Sequence, residues 1–123
     1  MNFIIIIFLI HFISDFIFQT HEMSLKKSKS IFWLSYHVIV YSFITTILWY
    51  IFFGGMIKDY SFILYIFIIT FITHWITDYF TSKWTSKLWE QQRVHDFFVV
   101  IGLDQLIHTI TLLKTYNFLI HTI

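Results

Sequence analysis

Three stretches of this sequence each run for about the roughly 20 residues that an α-helix needs to cross a bilayer: Asn2–Thr20, Ile31–Phe53 and Ser61–Ser82. A fourth, Leu103–Thr122, approaches the same length. The runs do not alternate polar and apolar residues, as Ile4 to Ile10 shows, and they are twice the length of a barrel strand. Helices in lipid are therefore expected. Composition agrees: 58% of the residues are hydrophobic and only 12% are charged, against about 25% in a soluble domain. Sixteen Phe and a mean hydropathy of +0.74 leave more apolar side chains than one small core can bury. The expected partner is the lipid bilayer. A net charge of +1 argues against nucleic acid, which asks for a basic face. With no Cys there is neither a disulfide nor a thiolate metal site.

The expected fold class is all-α: a polytopic membrane bundle of about four transmembrane helices plus one interfacial or re-entrant helix. Residues 1–123 form a single domain, with spans at about 2–20, 31–53, 61–82 and 103–122. The first run has no basic segment before Lys26 and no small-residue cleavage site, so it reads as a retained span. Gly54-Gly55 ends the second run. Residues 83–101 mix Trp84, Leu88 and Trp89 with Lys83, Lys87 and Arg93, which suits an interface. One reading starts the last span at His95. The preferred one starts it at Leu103 with a bend at Gly102, because Asp104 and His108 then share a depth with the other polar residues. Six basic residues in the first and third loops, against Lys58 and Lys114 opposite, put those loops in the cytoplasm and both termini outside.

The polar residues inside the runs are the informative ones. His11, Asp15 and Gln19 are each four residues apart, hence on one helical face. His74 and Asp78 repeat the spacing, flanked by Thr70 and Ser82. Asp104 and His108 repeat it in reverse, with Gln105 alongside, and His37 stands in the second run with Tyr41 one turn on. Two ligands four apart on a helix reach one ion, as in helical metal motifs. Imidazole and carboxylate without thiolate suit a divalent metal: Zn, Mn, Fe, or Mg with water completing its shell. His11, Asp15, His37, His74, Asp78, Asp104 and His108 are the candidate ligands. Gln19 and Gln105 are candidates to orient water or substrate. The plainer alternative is that buried Asp–His pairs only hold helices in register. Each buried Asp costs about 2.5–3.5 kcal/mol to insert, so three such pairs are excessive for packing alone. Lys26, Lys27 and Lys29 read as topology determinants that meet anionic headgroups. His21, Glu22 and His121 read as idle, and His95 and Asp96 as interfacial.

The motif His11-Phe-Ile-Ser-Asp15-Phe-Ile-Phe-Gln19, followed by Met23 and Lys26-Lys27, resembles the N-terminal signature of a bacterial and phage membrane-protein family, domain of unknown function 3307. His37, the pair His74 and Asp78, and Asp104-Gln105-Leu106-Ile107-His108 match its later motifs, so the resemblance covers nearly the whole chain. In that family Tyr and Lys closely follow the third-helix Asp; here Tyr79 is adjacent and Lys83 comes four residues later. The resemblance implies a multi-pass protein of the bacterial inner membrane and supplies no reaction.

Three functions follow from the residues. The first is a metal-binding protein, extended to a metal-dependent hydrolase at the cytoplasmic interface. The second is a proton- or cation-conducting bundle; four helices leave little room for a pore, so it calls for a homo-oligomer. The third is a non-catalytic accessory protein whose polar pairs fix packing.

Overall fold

The computed structural model describes residues 2–57 and 59–122; Lys58, part of the loop-charge comparison, lies outside them. Five α-helices follow one another: α1 (Phe3–Phe12), α2 (His21–Lys26), α3 (Ile31–Phe53), α4 (Ser61–Glu90) and α5 (Val94–Thr122). No strand occurs among the described residues. Three stretches, Ile31–Met56, Ser61–Glu90 and Val94–Thr122, are long and apolar enough to cross a membrane. α4 packs against α3 on one side and α5 on the other, and α1 lies against α3 and α5.

The packing is inverted relative to a soluble bundle. Phe8, Phe12, Phe32, Ile51, Leu64 and Phe80 point outward, whereas most Asp and His side chains of the runs point inward. The buried stripe of α4 recurs every four residues, Ile66, Thr70, His74, Asp78 and Ser82, and α5 does the same from Val100 through Asp104, His108 and Leu112 to Tyr116. Helix hydroxyls avoid bare exposure by bonding back to carbonyls one turn earlier: Thr70 to Ile66, Thr73 to Ile69, Thr77 to Thr73 and Thr81 to Thr77. The end of the bundle away from the first loop is a dry cluster of Ile7, Ile10, Trp49, Ile66 and Leu112.

The helix limits depart from the sequence expectation in two places. α4 does not stop at Ser82, and residues 83–101 are not a separate interfacial helix. α4 continues to Glu90, and α5 starts at Val94, near the alternative start at His95, and passes through Gly102 without a bend. The reversal lies at Gln91–Arg93. Gln92 adopts φ 57°, Arg93 N–H donates to Leu88 O and Gln92 N–H to Trp89 O, both at 3.0 Å. These bonds make a Schellman turn, which usually places Gly where Gln92 stands. The second departure is in the first run. α1 passes into a π-helical turn over Ile13–Ile17, closed by Phe18 N–H on Ile13 O, and the helix then ends. Phe3–Ile17 therefore extends only ~22 Å at 1.5 Å per residue, short of a full crossing.

A Cβ at Gly102 would meet nothing within 4 Å. Gly102→Ala should therefore stabilise the bundle by about 0.5–1 kcal/mol, the usual helix-interior gain. Thermal unfolding in maltoside micelles checks this; a lower midpoint would mean that the glycine serves a bend.

Candidate metal centre

Four helical segments converge on one carboxylate. Asp78, on the inward stripe of α4, is 1% exposed. Its Oδ2 lies 3.3 Å from His37 Nε2 of α3 and 3.4 Å from His74 Nε2 one turn earlier on α4. Its Oδ1 lies 2.9 Å from His108 Nε2 of α5. From the π-helical turn, Asp15 Oδ1 approaches His37 Nε2 to 3.2 Å and His74 Nε2 to 3.5 Å. The two Nε2 atoms are themselves 3.3 Å apart.

These separations have a geometric meaning. A tetrahedral ion with ligands at ~2.0–2.1 Å holds its ligand atoms ~3.3–3.4 Å apart. His37 and His74 stand at that distance from each other, and each stands close to it from one oxygen of Asp15 and one of Asp78. Asp15 Oδ1 is buried and has no hydrogen-bond partner among the described residues, despite its short distances to two imidazoles. It is the polar atom that a cation would satisfy. His74 Nδ1 also has no partner there. Its ring is held by stacking, between Tyr41 at 3.8 Å and His108 at 3.9 Å.

The remaining residues form a hydrogen-bonded surround. Gln105 ties three of them together: its Oε1 accepts from His11 Nε2 at 2.7 Å, and its Nε2 donates to Asp15 Oδ2 at 3.3 Å and Asp104 Oδ2 at 3.1 Å. Tyr41 OH lies 3.3 Å from His11 Nδ1, so both ring nitrogens of His11 are engaged. Asp104 Oδ1 accepts from Thr81 Oγ1 and lies 3.3 Å from His108 Nε2. His108, Asp78 and Asp104 thus make a second cluster that shares Asp78 with the first.

His11, Asp15, His37, His74, Asp78, Asp104, His108 and Gln105 meet in one region. Gln19 does not continue the face of His11 and Asp15, because the helix ends at Ile17; it is half-buried in the following loop with Oε1 unpartnered. Together with Asp15, Asp104 and Gln105 it lines a cavity of about 610 Å³. His95 is exposed, Asp96 pairs with Arg93 at 2.7 Å, and Glu22 pairs with Lys26 at 2.6 Å.

One functional group escaped the sequence reading. Lys27, expected only to set topology, puts Nζ 2.9 Å from Asp78 Oδ2. Burial works against its charge, yet Asp78 and Asp15 raise its pKa above the usual lysine value. Nothing in its spacing distinguishes Lys27 from Lys26 or Lys29. Lys83, by contrast, lies over the Tyr79 ring at 3.8 Å. Three carboxylates, Asp15, Asp78 and Asp104, thus meet one ammonium, Lys27, and the imidazoles of His37, His74 and His108.

A family model described as a protein of unknown function, DUF3307, matches residues 3–123. The chain belongs to this family. The match takes in all the residues of the cluster and the three helices that follow the first loop. No curated protein and no solved structure matches the chain. The family carries no reaction with it, so the chemistry rests on the geometry above.

Gln105→Leu removes the partner of His11 Nε2 and of two carboxylate oxygens. It should lower stability by about 1–3 kcal/mol, the penalty for stranding buried polar groups. Unfolding in mixed micelles measures this; an unchanged midpoint would show that these bonds do not hold the cluster.

Proposed function

We propose that this chain is a multi-pass protein of the bacterial inner membrane that holds a divalent metal ion between Asp15, His37, His74 and Asp78, and works as a metal-dependent hydrolase at the cytoplasmic face. The observation that carries the reading is that His37 Nε2 and His74 Nε2 stand 3.3 Å apart and each lies 3.2–3.5 Å from Asp15 Oδ1 and from Asp78 Oδ2, with Asp15 Oδ1 buried without a partner. Two imidazoles favour Zn, Mn or Fe over Mg, which prefers oxygen. A metal here would supply Lewis-acid polarisation of an ester or phosphoryl group and activation of water.

The protein's own residues have distinct tasks in this reading. Gln105 and Tyr41 fix His11 and Asp15 from behind, as outer groups fix metal ligands elsewhere. Asp78 presents its second oxygen to His108, so His108 and Asp104 can hold a proton next to the centre or bind a second ion. The cavity brings a substrate to the Asp15 and Asp104 edge. The basic first loop and the α4–α5 turn lie at this same end of the bundle, which the charge count assigns to the cytoplasm.

Ion conduction fits less well. Beyond the cluster the bundle is lined by Ile7, Ile10, Trp49 and Leu112 with hydroxyls such as Thr45 and Thr70, and no further buried Asp or His occurs there among the described residues to relay a charge. A purely structural role fits less well too, since hydrogen bonding leaves Asp15 Oδ1 without a partner.

Elemental analysis of detergent-purified protein tests the reading. About one divalent ion per chain is expected, lost in the Asp15→Ala/Asp78→Ala variant, and chelation should lower the thermal midpoint because bound metal stabilises only the folded state. Protein with no stoichiometric metal and no response to chelator would refute it.

A further inference from the structure

The cavity beside the cluster has features that a metal centre alone does not require. Its floor is Asp15, Asp104 and Gln105. Lys27 and Lys29 border it from the first loop, and Ser82, Thr85 and Ser86 from α4. Ser82 is 8% exposed with its Oγ unpartnered, and Gln19 Oε1 on the same lining is also unpartnered. Farther out the lining turns apolar, with Trp89 on α4 and Phe98 on α5, each more than half exposed.

This gradient follows from helix lengths. α4 runs 12 residues past Asp78, and α5 begins 10 residues before Asp104, so their hairpin projects ~15–18 Å beyond the cluster. The π-helical turn that continues α1 stops two residues after Asp15 and leaves that side to the first loop. The outcome is a recess at interfacial depth, polar inside and apolar at its rim. At about 610 Å³ it lies within the ~300–1,000 Å³ usual for small-molecule sites.

We propose that this recess binds the phosphate group of an amphiphile, with the phosphate held by Lys27, Lys29 and the α4 hydroxyls and the apolar part against Trp89 and Phe98. Two ammonium groups and several hydroxyl donors suit an oxygen-rich anion; a neutral carboxylic ester has no use for them. A wholly water-soluble anion has no use for the rim. Lys27 is the group that changes partner: its Nζ leaves Asp78 Oδ2 when a metal occupies that oxygen and turns to the phosphate. The proposal deepens the metal reading and rests on it in one respect, since Asp15 and Asp104, with Glu90 farther out on the lining, repel an anion until a cation offsets them. The phosphate is supplied either by a membrane lipid or by a soluble phosphate ester, and the two differ in their need for the rim.

The test is binding of decyl phosphate and of inorganic phosphate to the purified protein in maltoside micelles, followed by 31P NMR, with metal content measured on the same sample. Decyl phosphate is expected to bind at least 10-fold more tightly than inorganic phosphate. Lys27→Gln/Lys29→Gln should weaken it at least 10-fold and Trp89→Ala/Phe98→Ala several-fold. Lys29→Gln alone, at an exposed position away from the cluster, should still weaken it several-fold if the double variant fails to fold. Metal-loaded protein that binds neither probe would overturn this proposal and leave the metal reading standing. Binding by protein that holds no metal would uphold the recess and refute the metal reading. Equal binding of both probes, indifferent to the rim variants, would overturn the amphiphile in favour of a soluble phosphate ester.

Discussion

The bundle is organised around the carboxylate of Asp78. One oxygen faces His37, His74 and Lys27, the other faces His108, so a single side chain joins α3, α4, α5 and the first loop. In a low-dielectric interior such a charge is tolerable only with partners on every side. That requirement explains several features at once. It accounts for the inward stripes of α4 and α5, and for the approach of the α1 end, which brings Asp15 to the same imidazoles. It also accounts for the first loop folding back far enough to deliver Lys27.

The bundle divides along its length into two halves with different physics. One half is held by apolar packing of Trp49, Ile66, Leu112 and the isoleucines of α1. Dispersion and close contact dominate there, with a few buried hydroxyls such as Thr45 and Thr70 among the apolar side chains. The other half is held by ionic and hydrogen-bonded contacts and opens to a recess at one end.

How much was legible in the sequence depends on periodicity. The four-residue spacing of His74 and Asp78, and of Asp104 and His108, survives because those helices are regular, and a regular helix maps sequence spacing directly onto a face. Gln19 was misplaced because the π-helical turn at Ile13–Ile17 changes the count per turn and then ends the helix, and no residue type announces such a turn. The α4–α5 reversal was misplaced for a related reason. The break was set at Gly102 to bring Asp104 and His108 to the depth of the other polar residues, while the real turn sits at Gln92, which adopts the left-handed conformation without the glycine that normally signals it. Lys27 was hidden among three similar lysines, because only the fold of a loop, which has no period, decides which of them reaches Asp78.

X-ray absorption at the metal edge of the purified protein shows whether Asp15, His37, His74 and Asp78 surround one ion, as proposed. A first shell of two imidazole nitrogens and two carboxylate oxygens at ~2.0–2.1 Å is expected, with the outer-shell scattering of imidazole rings. A shell of six oxygens without imidazole scattering would place the metal elsewhere and refute the proposed ligand set.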